Sequence, residues 1–169
     1  MHKEGRAVRL LTRSGYDATR RFRELARVLA DMPAGSCVID GEVVACDSYG
    51  VPDFLALHFQ NARSAVVVVW AFDIIYLDGR DLRDLPLIRR QALLSRLVYR
   101  TGNNQLRLSE TFDNGAKLLA VAEEFGLEGV VSKRRDAPYR SGDRCGWIKT
   151  KTKAWRDANG ERWRLEQKR

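Results

Sequence analysis

Residues 128–151 read EGVVSKRRDAPYRSGDRCGWIKTK, from Glu128 to Lys151. Two short runs, Glu128-Gly-Val-Val-Ser-Lys133 and Trp147-Ile-Lys-Thr-Lys151, flank a basic loop rich in turn residues. The period of two in a strand puts Trp147, Lys149 and Lys151 on one face of the second run. Two ammonium groups one strand step apart repel unless an anion lies between them, and phosphate is the obvious anion. The first run is apolar between a carboxylate and a lysine, the pattern of a buried strand with polar ends. The pair therefore predicts two strands that present cations to a phosphate.

Charge placement supports this reading. The net charge is +8, and Lys133 to Arg169 holds 13 Lys/Arg against 5 Asp/Glu, which is the whole excess; residues 1–132 balance. Such asymmetry favours a polyanionic partner, nucleic acid before membrane, because no basic amphipathic anchor or long apolar run accompanies it. Cys37, Cys46 and Cys145 lack C-x-x-C spacing and read as incidental thiols of a reducing cytosol. His2 and His58 are too scattered for a metal cluster. With no signal peptide or membrane span, the expected location is cytoplasmic, on the nucleoid.

Working outward, the length suits one domain. Ala7 to Thr12 predicts a strand, Arg13 to Asp17 a turn about Gly15, and Phe22 to Leu29 a helix ended by Pro33-Ala-Gly-Ser36. Cys37 to Cys46 predicts a strand interrupted at Asp40-Gly-Glu42, followed by a hairpin turn at Asp47-Ser-Tyr-Gly50. Phe54 to Ala62 reads as a short helix. Ala65 to Tyr76 is the most apolar run and the expected central strand, closed by Leu77-Asp-Gly79. Pro86 opens a helix to about Tyr99 with Leu87, Ala92, Leu93 and Leu97 inward. Gln105 to Ser109 predicts a strand, and Asp113 caps a helix through Phe125. The tail from Lys153 predicts a basic helix with Trp155, Ala158 and Trp163 near one side. The class is α+β, with strands in meander-like succession and helices packed on them.

Four pieces stand in order: Thr12-Arg-Ser-Gly15, Asp40-Gly-Glu42, Ala71-Phe-Asp-Ile74, and the Glu128 and Trp147 runs. Singly, each has a plain structural meaning. Together they resemble the adenylation domain of ATP-dependent DNA ligases, and most of all that of the bacterial non-homologous end-joining ligases. The likeness extends to Val8-Arg-Leu-Leu-Thr-Arg-Ser-Gly-Tyr-Asp17 and Phe72-Asp-Ile-Ile-Tyr-Leu-Asp-Gly-Arg-Asp-Leu-Arg-Asp-Leu-Pro-Leu-Ile88. It covers roughly residues 2–153, leaving 154–169 as a basic tail.

The resemblance implies an antiparallel-sheet, ATP-grasp-like nucleotidyltransferase fold that is incomplete at its N-terminus. It implies ATP and Mg²⁺ as cofactors and nicked or broken duplex DNA as partner, with end-joining proteins or an upstream-encoded ligase segment beside it. Phe72 would stack on adenine, Glu42 would contact the ribose or orient a metal-bound water, and Glu128 would hold the divalent ion. Lys149 and Lys151 would grip the α-phosphate. Arg13 would face the nucleotide or a 5′-phosphate, with Lys133 and Arg140 as further phosphate contacts. Nucleotidyl transfer asks for such a set: cations and Mg²⁺ where negative charge develops, and a fixed line of attack.

The sequence also departs from the family's pattern. The family's Lys-x-Asp-Gly motif, whose lysine becomes adenylated, is absent, and Lys3-Glu-Gly5 is read as a hairpin turn instead. The oligonucleotide-binding domain that follows Trp-x-Lys-x-Lys is absent too. Three readings follow: a truncated or misstarted ligase, a non-catalytic nucleotide- or DNA-binding descendant, and a sister RNA ligase or capping enzyme. The text around Phe72 argues against the third.

Overall fold

The computed structural model describes residues 1–46, 57, 66–142 and 146–160. The chain divides into two compact units, Met1–Glu110 and Thr111–Arg169. The turn expected at Asp47–Gly50, the helix expected over residues 54–62, and Trp163 lie outside the described residues.

The first unit is built on a six-stranded sheet. Strands β1 (His2–Glu4) and β2 (Ala7–Arg9) form a hairpin turning at Gly5-Arg6. Lys3-Glu thus belongs to a strand, and only Gly5 to the turn. The expected strand Ala7–Thr12 ends early, at Arg9, although Leu11 still bridges to Asp17 across the Gly15 turn. Helix α1 (Arg23–Ala30) packs Leu25, Ala26 and Leu29 into the core. Then β3 (Ser36–Cys46) pairs with β1 on one side and, antiparallel, with β4 (Val66–Leu77) on the other. Strand β5 (Arg80–Asp81) continues from a turn at Asp78 (φ 45) and Gly79 (φ 83). Strand β6 (Leu106–Leu108) pairs parallel to β4 at Val69–Ala71, so the sheet is not a pure meander.

Strand β3 runs unbroken through Asp40-Gly-Glu42; the irregularity expected there falls on its partner. Opposite Val38/Ile39 and Asp40/Gly41 the register shifts, leaving Ile75 and Phe72 of β4 as extra residues in β-bulges. The core side of β4 shows the consequence. Val67, Val69 and Ala71 step by two, then Ile74 and Leu77 follow at steps of three, because each bulge resets the alternation. Gly41 is required at this place: a Cβ there would lie 2.9 Å from the Trp70 carbonyl oxygen and 3.2 Å from the Ala71 Cα.

Helix α2 (Leu87–Thr101) starts after Pro86 and ends at Gly102 in the left-handed conformation. Its buried positions are Leu87, Arg90, Leu94 and Leu97. Leu87 and Leu97 agree with the sequence reading, whereas Ala92 is exposed and Leu93 only half-buried. The stripe follows the 3-4-3 spacing, which passes through Arg90; the apolar residues alone had pointed elsewhere.

In the second unit, α3 (Gly115–Glu124) is capped by Asn114, whose side chain accepts from the Lys117 N–H at 2.9 Å. Asp113, the expected cap, instead pairs with Arg135 at 3.0 Å. Strands β7 (Gly129–Ser132) and β8 (Ile148–Lys151) form an antiparallel pair, and α4 (Lys153–Ala158) follows. The prediction of a buried first strand is corrected: Val130 is half-buried and Val131 is 49% exposed. A two-stranded ribbon has two faces, and a single helix packed on it covers only one of them.

Candidate functional site

Strand β3 brings Glu42 opposite Trp70 of β4, so the two side chains share one face of the sheet. Glu42 is exposed and Phe72 half-buried. Phe72 sits at the bulge beside the Asp40–Gly41 step, which aims the ring independently of the regular alternation. Next to it, Asp73 is fully buried and held by Arg90, with Nε–Oδ1 2.7 Å and Nη2–Oδ2 2.9 Å. Asp73 Oδ1 also accepts from the Ile74 N–H at 2.9 Å. Arg90 donates further to the Leu85 carbonyl. Among the residues of this unit the sequence reading had also singled out Arg13. It lies exposed in the Thr12–Gly15 turn, where Gly15 N–H donates to Thr12 O at 2.9 Å.

The second unit gathers Glu128, Lys149 and Lys151 on one ribbon. Lys151 is opposite Gly129, and Lys149 opposite Val131. The Lys151 side chain is 8% exposed and its ammonium donates to the Glu128 carboxylate. It also lies 4.1 Å from the centre of the Trp155 ring. The anion that two neighbouring lysines demand is therefore supplied in part by the protein itself. Lys149 remains exposed. Lys133 sits 3.7 Å over the Trp147 ring, and Arg140 is exposed in the intervening loop.

Two residues that the sequence reading passed over fix this ribbon. Thr152, 1% exposed, donates from its hydroxyl to Leu127 O at 2.7 Å, and its N–H donates to Glu128 O at 3.0 Å. The same hydroxyl caps α4 by accepting from the Trp155 N–H. Gly129 adopts φ +154, and a Cβ there would lie 2.2 Å from Thr150 O. Only glycine allows β8 to approach so closely beside Glu128. Glu123 closes the unit by accepting the Lys153 and Ala154 N–H groups at 2.6 and 2.7 Å. Those hydrogen bonds hold its carboxyl below the ordinary range.

Magnesium keeps most of its waters and takes one or two carboxylates. The Glu128 side chain is 64% exposed, so its carboxylate fits such an ion while Lys151 binds one of its oxygens. Glu42, on the first unit, is by itself also an exposed carboxylate. Among the described residues no group of three or more His, Cys, Asp or Glu is placed to cage a metal. Each exposed carboxylate taken singly thus suits a hydrated ion and not a buried structural metal. Burial pushes the Cys37 thiol up to about 11, which makes it a poor nucleophile or ligand. No helix among the described residues is long and apolar enough to cross a membrane.

With this geometry the class can be stated. The family model described as ATP dependent DNA ligase domain matches residues 1–151, and the chain belongs to that family. It is 42% identical over 147 residues to the multifunctional non-homologous end joining protein LigD of Pseudomonas aeruginosa, covering 85% of this chain and 18% of that protein. A probable DNA ligase of Streptomyces coelicolor is 35% identical over 173 residues, covering 89% of this chain and 32% of that one. Among solved structures, mycobacterial DNA ligase D complexed with ATP and MES superposes with a TM-score of 0.73 at 41% identity. That match covers 89% of this chain and 49% of the solved one. The fold is that of the ligase nucleotidyltransferase domain. The chain spans about a fifth of the length of its LigD relatives.

Proposed function

We propose that the chain is the nucleotide-handling part of a DNA ligase of the end-joining type, taking ATP with Mg²⁺ and acting on nicked or broken duplex DNA. The observation that carries this reading is the β7–β8 ribbon, where a glycine-enforced close approach sets Lys151 against Glu128 and leaves Lys149 exposed two residues before it on the same strand. In this reading Phe72 stacks on adenine and Glu42 contacts the ribose or a metal-bound water. Lys149 and Lys151 bind the α-phosphate, and Arg13, Lys133 and Arg140 contact nucleotide or DNA phosphates. Glu128 holds Mg²⁺, whose positive charge offsets charge developing on the phosphoryl oxygens. Lys151 is set against Glu128 before any nucleotide arrives, so the cation needs little rearrangement to meet a phosphate.

Transfer of the adenylate to protein requires a lysine amine in line with pyrophosphate departure. No Lys-x-Asp-Gly run is present in this sequence. The sheet offers a place for one. Met1 and Ile39 exchange hydrogen bonds, at 2.8 and 2.9 Å. Among the described residues no strand pairs with the β1 side of β3 from Asp40 onward. A strand added antiparallel along that edge would pass beside Glu42 on its way to the Ile39 end. Its lysine would supply the nucleophile, whether the strand came from the same chain or another.

Titration with a fluorescent ATP analogue and Mg²⁺ tests the nucleotide assignment. Binding by the chain, weakened at least tenfold in Phe72→Ala and in Lys149→Ala, supports it. Unchanged affinity in both variants contradicts it.

A further inference from the structure

A second cationic surface lies on the first unit, apart from every residue assigned above. The β1–β2 hairpin and α1 enclose an open groove of about 520 Å³, walled by Arg6, Arg23, Arg27 and Asp31 and floored by Val8 and Ala26. Charge counted along the chain conceals it. Residues 1–132 balance overall, yet residues 6–31 hold seven arginines and no lysine against Asp17, Glu24 and Asp31. The neutralising acids lie further along, between Asp40 and Asp84.

The groove's cations are available for exchange. Arg6 pairs with Asp31 at 2.9 Å, with side chains 82% and 66% exposed, and Arg27 pairs with Glu24 at 3.1 Å, 74% and 72% exposed. Exposed pairs of this kind are weak and screened by salt. Arg23 has no carboxylate within ion-pair distance among the described residues. Arg23 and Arg27 stand four residues apart on α1, about 6 Å along the axis, so their guanidinium groups can reach successive groups of a linear polyanion. Planar guanidinium forks bind phosphate oxygens in pairs, which a carboxylate-for-phosphate exchange would exploit.

The floor decides between occupants. A peptide that binds tightly adds to its charge contacts an aromatic or large aliphatic anchor in a desolvated pocket. Here the apolar surface is a valine only 9% exposed and small alanines, which leave little apolar area to hold such an anchor. Three arginines along an open groove with little apolar surface suit a sugar-phosphate backbone, read without regard to base sequence.

We propose that the groove formed by Arg6, Arg23 and Arg27 is a nucleic-acid backbone site that adds affinity for duplex DNA independently of the β7–β8 ribbon. It rests on the reading that the chain acts on DNA. The test is anisotropy titration of an unnicked fluorescent duplex with the whole chain across a salt series. The variants are Arg6→Ala/Arg23→Ala/Arg27→Ala and the same three positions changed to lysine. Each neutralised phosphate contributes a log–log salt slope near −0.9. The alanine variant should therefore lose about two to three units of slope and bind at least tenfold more weakly at low salt, while the lysine variant keeps the slope. All three side chains are exposed, so unchanged thermal melts accompany these effects. The proposal is overturned if the alanine variant keeps both slope and affinity, including the case in which it loses affinity only for an acidic peptide probe. In that event ATP-analogue binding and DNA binding through Lys133 and Arg140 persist, and the ligase reading stands without the groove. Absence of any DNA binding by the unaltered chain overturns both.

Discussion

Arg90 clasps Asp73 through two hydrogen bonds in the interior of the first unit, and Asp73 is the residue that follows Phe72 at the β4 bulge. The pair couples the helix that packs on the sheet to the point where the strand departs from regular pairing. With side-chain exposures of 2% and 0%, neither partner can turn to water when the other is removed.

Arg90→Leu should therefore destabilise the first unit by about 3–5 kcal/mol, the usual result of orphaning a buried charge. Arg90→Leu combined with Asp73→Leu should recover part of that loss. Urea unfolding of the single and double variants measures both. Equal stability of Arg90→Leu and the unaltered chain would remove the pair from the account.

How legible this was can be argued from the same residues. The strand Ala65–Tyr76 and the Asp78–Gly79 turn were readable because an apolar run and a turn dipeptide are local signals. The bulges were not, since they record how two strands pair, and the anomaly at Asp40-Gly-Glu42 belonged to its partner. Arg90 could have been found: it lies three after Leu87, four before Leu94 and seven before Leu97, on the apolar stripe. A charge there signals a buried partner. The Lys149 and Lys151 positions were legible from alternation, whereas the use of Glu128 as the partner of Lys151 required the fold. Thr152 fixes the ribbon and Glu123 the start of α4, through backbone contacts that no periodicity encodes.

Gly129→Ala should disrupt the β7–β8 ribbon, because its Cβ would fall 2.2 Å from Thr150 O. A cost of about 3 kcal/mol, confined to the second unit, is expected from such strain. Amide exchange should quicken in residues 129–132 and 148–151 and stay unchanged in β3 and β4. Ordinary protection throughout the ribbon would contradict the close approach.

Glu123 makes the docking of α4 pH-dependent. Its folded-state carboxyl is depressed, so its contribution is present above the ordinary value of 4.5 and is lost as pH falls through the lower folded value. Tryptophan fluorescence from Trp155 should report release of α4 in that acid range, before global unfolding. Glu123→Gln should abolish this transition. A transition of the same midpoint in Glu123→Gln would assign it to another group.

The chain as given should form no covalent AMP adduct with labelled ATP and Mg²⁺, because adenylate transfer needs a lysine in the right context and this sequence holds no Lys-x-Asp-Gly run. Denaturing electrophoresis after incubation is the check, and an adduct mapped to any of its lysines would overturn the statement.

Adenylate transfer after supplying a Lys-x-Asp-Gly-bearing strand, fused ahead of Met1, decides whether these residues serve nucleotidyl transfer. The account predicts a lysyl-AMP adduct on the added lysine, lost when that lysine is alanine and reduced at least a hundredfold in Glu128→Ala or Lys149→Ala. A folded fusion that binds no ATP analogue and forms no adduct would contradict it, leaving the ligase likeness as a statement of ancestry and not of activity.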